Sequence, residues 1–367
     1  MRRLLPVLAC VLVCGSASAQ ESPDDLLAKV MASPTSTGLL VTDVDAGSQA
    51  NTVGLASGDI LVSYDGKPIP DPQTLQAAIA AAKEKKTVTA EVEVDRMGEA
   101  RKFELTVGQR IGIAILPVQK GVAIDPLPPD SAPKLDWSRF DAPGDQWMCF
   151  YEGGKKAGFE HVTWTRKDGV LSLRHEVAFD GGEAWGLNHF LVDSEMSTGE
   201  RAEGLKSRFE NPLTKYVSEG SVVKDSKAPS AGWESTHTSP EQKEPEGNLQ
   251  FAAGDLVPTY DILFLAQALP RSGGAAYRFS PVEEGTGRVM HASALVVAGK
   301  QKAKLGDREI EGWQVEWRLI GRPANVYWLD DQGAILAISY GNAFAIPSTK
   351  EEALAGLHPD LKPRTAD

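Results

Sequence analysis

Proline decides the layout of this chain. Pro117, Pro126, Pro128, Pro129, Pro133 and Pro143 fall in one stretch, and a residue with no backbone N–H and a fixed φ cannot sit in an interior strand. The stretch reads as an extended linker with a folded body on either side. The two sides differ in kind: all eight tryptophans lie between Trp137 and Trp328, whereas residues 38–117 hold Tyr64 and Phe103 as their aromatics. A length of 367 residues also favours two domains. The divisions expected are a targeting segment at 1–19, a spacer at 20–37, a first domain at 38–117, the linker at 118–145, a second domain at 146–346, and a short helix and tail at 347–367.

Composition narrows the class. With 42% hydrophobic and 24% charged residues the chain can bury a core, which argues against global disorder and coiled coil. A net charge of −12 makes nucleic acid an unsuitable partner. Arg2 and Arg3, the apolar run Leu4 to Cys14, and Ala17-Ser18-Ala19 read as a signal peptide with Gln20 as the mature start. Cys10 after Val7-Leu8-Ala9 leaves a lipoprotein alternative, and the bare arginine pair a weaker twin-arginine one. The chain is therefore expected to be periplasmic or secreted, with no integral membrane segment after cleavage, because no later apolar run approaches the ~20 residues that a span needs. Cleavage would leave Cys149 alone, so stability must come from core size and not from disulfides.

In the first domain, GLLVTDVDA (38–46) begins as a β-rich run, 60–64 is a strand, and Asp65-Gly66 makes a tight hairpin. Asp71 or Pro72 opens a helix whose Leu75, Ala78, Ile79 and Ala82 share a face, with Lys83 to Lys86 suiting its C-terminal dipole. Thr87 to Val94 alternates as a strand with Val88, Ala90, Val92 and Val94 on one side, and Arg101 to Val107 follows a turn. The string GLASGDILVSYDGKPI, with GLLVTDV before it and VTAEVEV after it, resembles a PDZ domain in the circularly permuted order of exported bacterial modules. The resemblance implies a partly open barrel with one main helix, and a groove in which a peptide or protein C-terminus adds as a strand. It implies that Arg110, Ile111, Gly112 and Ile113 form the carboxylate loop, that Ala114 and Ile115 begin the groove strand, and that Thr74, Ala78 and Ala81 face it from the helix. The sequence departs from many bacterial relatives in having this loop after the last strand and not before the first. The alternative is that 111–115 is a plain core strand and the groove is degenerate.

From Trp147 the pattern is strand after strand. The candidates are 147–151, 157–166, 170–179, 187–195, 204–210, 214–222, 275–281, 288–298, 310–319, 324–329 and 334–340. One apolar helix stands out at Pro258 to Leu269, and Ser348 or Thr349 caps a short C-terminal one. The fold expected is mostly β: an antiparallel curved sheet or half-barrel wrapped around a helix. YEGGKKAGFEHV, GDLVPTYDILFLAQALP and VYWLDDQGAILAISYG resemble, weakly, the open half-barrels of periplasmic lipoprotein carriers and related proteins of unknown function. An apolar ligand in this domain is a second expectation. Its tryptophans are read as core residues or as the lining of a ligand cavity.

No chemistry is legible. There is no G-x-S-x-G elbow, H-x-H, H-E-x-x-H or C-x-x-C among six scattered histidines, so neither metal nor cofactor is expected. Only residues 20–37 separate the signal from the module, too few for the trypsin-like domain that accompanies PDZ modules in exported proteases. Ser272 is a loop serine, Cys149 a buried thiol, and Glu160-His161 with His175-Glu176 are surface cross-strand pairs. The expectation is a non-catalytic exported protein binding C-termini. The alternatives are a carrier or sensor of a lipid-like ligand with the PDZ domain as its docking platform, and an unrecognised hydrolase.

Overall fold

A computed structural model describes residues 23–44, 48–109, 111–182, 186–224, 231–240, 246–252, 254–290, 293–320 and 322–364. The signal-peptide expectation and Arg110 lie outside the described residues. The chain divides into two units, residues 1–123 and 124–367.

The first unit opens with helix α1 (Pro23–Ala32), where a spacer was expected; its Val30 and Met31 are buried. Strands β1 (Gly38–Val44), β2 (Ile60–Tyr64), β3 (Lys67–Pro68), β4 (Thr89–Arg96), β5 (Glu99–Thr106) and β6 (Ile113–Val118) form one sheet in the order β5-β4-β2-β1-β6, with β3 beside β2. Asp65 and Gly66 both take positive φ, 52° and 72°, which is the geometry the β2–β3 hairpin demands. Between β1 and β2 lies the short helix α2 (Gln49–Val53), capped by Ser48. Helix α3 (Pro72–Glu84) starts as its sequence dictates: Asp71 caps it through Thr74 N–H, and Pro72 occupies a first-turn position that needs no donor. Ala90, Val92 and Val94 of β4 enter the core with Leu39, Val41, Leu61, Leu75 and Leu105. Val88 does not join them. It precedes β4 and is 75% exposed, so the inward alternation begins one pair later than the sequence pattern implied.

Asp59 fixes the entry to β2. Its side chain is fully buried and receives two bonds from the Arg96 guanidinium, at 2.6 and 2.7 Å, and one from Ala56 N–H at 3.0 Å. Arg96 also donates to the Gly54 carbonyl. The Gly-Asp pair of the sequence motif is thus a buried, fully engaged anion site in the scaffold.

In the second unit the first eight strands run as a meander: β7 (Gly144–Glu152), β8 (Lys155–Lys167), β9 (Val170–Asp180), β10 (Leu187–Thr198), β11 (Ala202–Asn211), β12 (Tyr216–Lys224), β13 (Ala231–Thr238) and β14 (Glu246–Ala252). The remaining strands are β15 (Leu256–Pro258), β16 (Ala276–Glu283), β17 (Arg288–Val289), β18 (Ser293–Leu305), β19 (Arg308–Leu319), β20 (Arg322–Leu329), β21 (Ile335–Ser339) and β22 (Ala343–Ser348). β22 pairs with β7, Ser348 opposite Trp147, so the last strand closes onto the first and joins the two halves into one sheet. The sheet begins at β14 and finishes at β15, and among the described residues these two do not pair, so it stays open.

The helix Ile262–Ala268 is buried on every side, as a helix apolar on all faces but for Gln267 must be; the Gln267 side chain is satisfied by Arg139 and the Leu263 carbonyl. It packs in one core with Met148, Phe150, Val162 and Leu171 from the first half of the sheet and Leu295, Val315, Tyr327 and Leu329 from the second. The curved sheet around a helix is therefore the architecture found. β13, β14 and β22 are not picked out in the sequence: β13 carries Trp233 as its one large apolar residue, and β14 mixes Glu246, Asn248 and Gln250 with Leu249 and Phe251. The C-terminal helix Lys350–Leu354 has the full capping box, Thr349 with Glu352. It covers the outer face of β7 and β8: Ala353 and Leu361 pack on Cys149, Phe159 and Ala178. Cys149 is a buried free thiol.

Candidate functional site

The first candidate site is the edge of the small sheet. β6 pairs antiparallel with β1, Ile113 opposite Val44 and Val118 opposite Gly38, and it is the terminal strand on that side. It also lies against α3. Pro117 has no N–H to give a ladder, which suits an edge strand. Ala114 and Ile115 lie on this strand, and Ile111, Ile113 and Ile115 pack against the same core as Ala78 and Ile79 of α3. Thr74, Ala78 and Ala81 are all half-buried, as the spacing i, i+4, i+7 on one helical face requires. The Thr74 hydroxyl is already engaged, donating to Asp71 Oδ2 at 2.8 Å; with Thr74 N–H it holds the Asp71 carboxyl below the usual carboxylate range.

The loop before β6 is oriented by α2. Ala50 N–H donates to the Ile111 carbonyl at 2.9 Å, and Ser48 Oγ to the Gly112 carbonyl at 3.4 Å. A trans peptide points its N–H opposite its C=O, so these bonds turn the Gly112 and Ile113 N–H groups to the side away from α2. Gly112 has φ of 76°, a left-handed conformation that glycine adopts without steric cost and that forms anion-binding nests of consecutive amides.

The second candidate site is a cavity of about 710 Å³ on the concave face of the large sheet, within the roughly 300–1,000 Å³ range of small-molecule sites. Its wall is aromatic. Phe150 lies 4.8 Å from Phe179 with the rings tilted by 30°, Phe190 follows at 6.4 Å from Phe179, and Phe209 at 5.5 Å from Phe190, while Tyr340 extends the row at 6.0 Å from Phe150. Gly158 makes the row possible. It stands in register between Phe150 and Phe179, and a Cβ there would lie 2.0 Å from the Ala178 carbonyl oxygen. Among the described tryptophans Trp317 alone lines the cavity; Trp137, Trp233 and Trp328 are core residues. The lining expected from tryptophan is thus supplied mainly by phenylalanine and tyrosine.

The floor of the cavity is polar. Glu160 is 1% exposed; Tyr340 donates to its Oε2 at 3.1 Å, and His175 Nε2 stands 3.4 Å from the same oxygen. These residues were read from sequence as surface pairs, and the structure corrects this. Glu160 and His175 lie on the inner face with Val162 and Leu173, while Glu176 and His189 are buried on the outer face, where Arg364 N–H donates to Glu176. His161, the expected partner of this set, instead pairs with Asp145 and stacks on Trp147 at 3.8 Å. Strand parity gave the facing, but coverage of the outer face by the C-terminal segment comes from packing distant in sequence.

Glu284 accepts from Thr259 Oγ1 at 2.5 Å and from Tyr260 N–H at 2.9 Å, and burial pushes its carboxyl up to about 7. Asp261, bonded by Ser194 Oγ, is held well above the usual range by burial and then by the charge of Glu284. Burial likewise raises the phenols of Tyr260, Tyr327 and Tyr340. Tyr260 and Tyr340 nevertheless keep some exposed surface, and both line the cavity. Among the described residues no group of three or more His, Cys, Asp or Glu is placed to hold a metal ion, and no helix is long and apolar enough to cross a membrane.

Comparison with known proteins bears on the first unit. The PDZ domain family matches residues 23–107, a span that takes in α1 and stops short of β6. A probable periplasmic serine endoprotease DegP-like from Rhizobium meliloti (strain 1021) is 34% identical over 71 residues, which is 19% of this chain and 14% of that protein. The similarity therefore spans a small part of that relative. Taken with the sheet order and the buried Gly-Asp site, the family match shows that residues 23–107 of this chain form a PDZ domain.

Proposed function

We propose that this chain is an exported, non-catalytic binding protein whose PDZ groove receives the C-termini of peptides or proteins in the periplasm or outside the cell. The observation that carries this is the position of β6: an edge strand beside α3, preceded by a glycine loop whose carbonyls are tied back to α2. An incoming strand would pair with the outer edge of β6. Its terminal carboxylate would meet the Gly112 and Ile113 amides, with the last side chain between Ile111, Ile113 and Ala78. Burying one leucine or phenylalanine there contributes about 1.5–3 kcal/mol. The periplasmic setting is supported by the signal-like N-terminus and by the similarity of the first unit to a probable periplasmic endoprotease.

The test is a set of C-terminal peptides measured by calorimetry against the full chain, each with a free and an amidated terminus. Free carboxylates are expected to bind at least about tenfold more tightly, and Gly112→Val is expected to remove that difference. Equal binding of amidated peptides would end the terminus reading and leave the PDZ scaffold.

A second reading is favoured by the large cavity: the second unit holds an apolar ligand, as a carrier or sensor would, with the PDZ domain as its docking platform.

A further inference from the structure

The cavity is not a neutral greasy slot, and its charges narrow what it would hold. Building on the ligand-binding reading of the second unit, we propose that the cavity takes an amphiphilic ammonium compound, with its cationic head at the Tyr260 ring between Glu160 and Glu284 and its apolar body along Phe150, Phe179, Phe190 and Phe209. Three carboxylates line the cavity, Glu160, Glu283 and Glu284, against one guanidinium, Arg288. The phenol of Tyr260 feels the charge of all three, so they converge on one region. Around it stand Tyr327, Tyr340 and Trp317, whose ring faces attract cations.

Three buried polar atoms on residues that line the cavity have no hydrogen-bond partner: His175 Nδ1, Trp317 Nε1 and Arg288 Nε. His175 packs edge-on against Tyr260 at 5.1 Å, its side chain 6% exposed, and its Nδ1 has no hydrogen-bond partner. With Nε2–H directed at Glu160, Nδ1 is an acceptor and calls for a donor such as an ammonium N–H. Trp317 Nε1, on a residue 8% exposed, is also without a partner and suits an oxygen on the ligand body. A carboxylate head would instead be placed among three like charges, and a buried like-charge contact disfavours binding. Asp261 accepts from Ser194 Oγ, and burial holds its carboxyl well above the usual range, which weakens its charge beside the site.

The experiment compares dodecylamine, dodecanol and dodecanoate, each below its micelle concentration, by calorimetry and native mass spectrometry on the full chain. The conditions are pH 8 and about 150 mM salt, which screens the general attraction of an acidic protein for cations. One dodecylamine per chain is expected, bound about tenfold more tightly than dodecanol, with dodecanoate weakest. Glu160→Gln and Glu284→Gln, which keep the shape and most of the hydrogen bonds, are expected to pull the amine back toward dodecanol. The surface variant Glu311→Gln is expected to leave the amine unchanged. Dodecanoate binding as well as the amine, or an amine preference untouched in both cavity variants, would overturn the charge inference while the apolar-ligand reading stands. Binding of none of the three, with the variants and parent equally folded by circular dichroism, would overturn both.

Discussion

Glu284 offers a sharp test of how the second unit is built. Its carboxyl is fully buried, satisfied by Thr259 and Tyr260, and pushed from its ordinary 4.5 up to about 7. Folded, it keeps its proton up to about pH 7; unfolded, it releases the proton near 4.5. Between those values the folded state binds more protons, so stability falls as pH rises through the window. The penalty is absent below 4.5 and complete above about 7. At 1.36 kcal/mol per pH unit that interval is worth about 3 kcal/mol. Glu284→Gln removes the titration but preserves the bonds, its carbonyl accepting from Tyr260 N–H and its amide donating to the Thr259 hydroxyl. Urea unfolding followed by tryptophan fluorescence reads the second unit selectively, since all eight tryptophans lie between 137 and 328. The stability of Glu284→Gln minus that of the parent is expected to rise by about 2.5 kcal/mol from pH 5 to pH 8, and titrations uncoupled from Glu284 cancel. Asp261, whose carboxyl is raised in part by the Glu284 charge, moves in the same direction. A difference that stays flat with pH would refute the claim that burial dominates this carboxyl.

Three further outcomes follow from the packing. Arg96→Ala leaves the Asp59 carboxylate buried with Ala56 N–H, and is expected to destabilise the first unit by about 3–5 kcal/mol, read as loss of amide-exchange protection at β2 and β4. Phe264→Ala opens a hole beside Phe140 and Trp164, whose rings lie 5.6 and 6.1 Å away, and is expected to cost the second unit about 3–5 kcal/mol in urea unfolding. Thr349→Ala removes one half of the C-terminal capping box and is expected to cost about 1 kcal/mol, seen as faster proteolysis of the segment after 349 with the far-ultraviolet spectrum retained.

Part of this protein was legible in single segments. Asp65-Gly66, Asp71-Pro72 and the alternation through Ala90, Val92 and Val94 specify turn, cap and strand with no help from distant residues, because φ, capping bonds and side-chain period are local quantities. The helix Ile262–Ala268, apolar at every position but Gln267, likewise announces its burial. The two candidate sites were decided otherwise. β6 becomes an edge strand beside α3 through its pairing with β1, which brings Ile113 opposite Val44 and Val118 opposite Gly38. Glu160 and Tyr340 meet across 180 positions because β22 closes onto β7. A carboxylate on an alternating strand carries the same local signature whether water or protein covers its face. Strand order and the covering C-terminal segment settle which, and those are properties of the whole sheet.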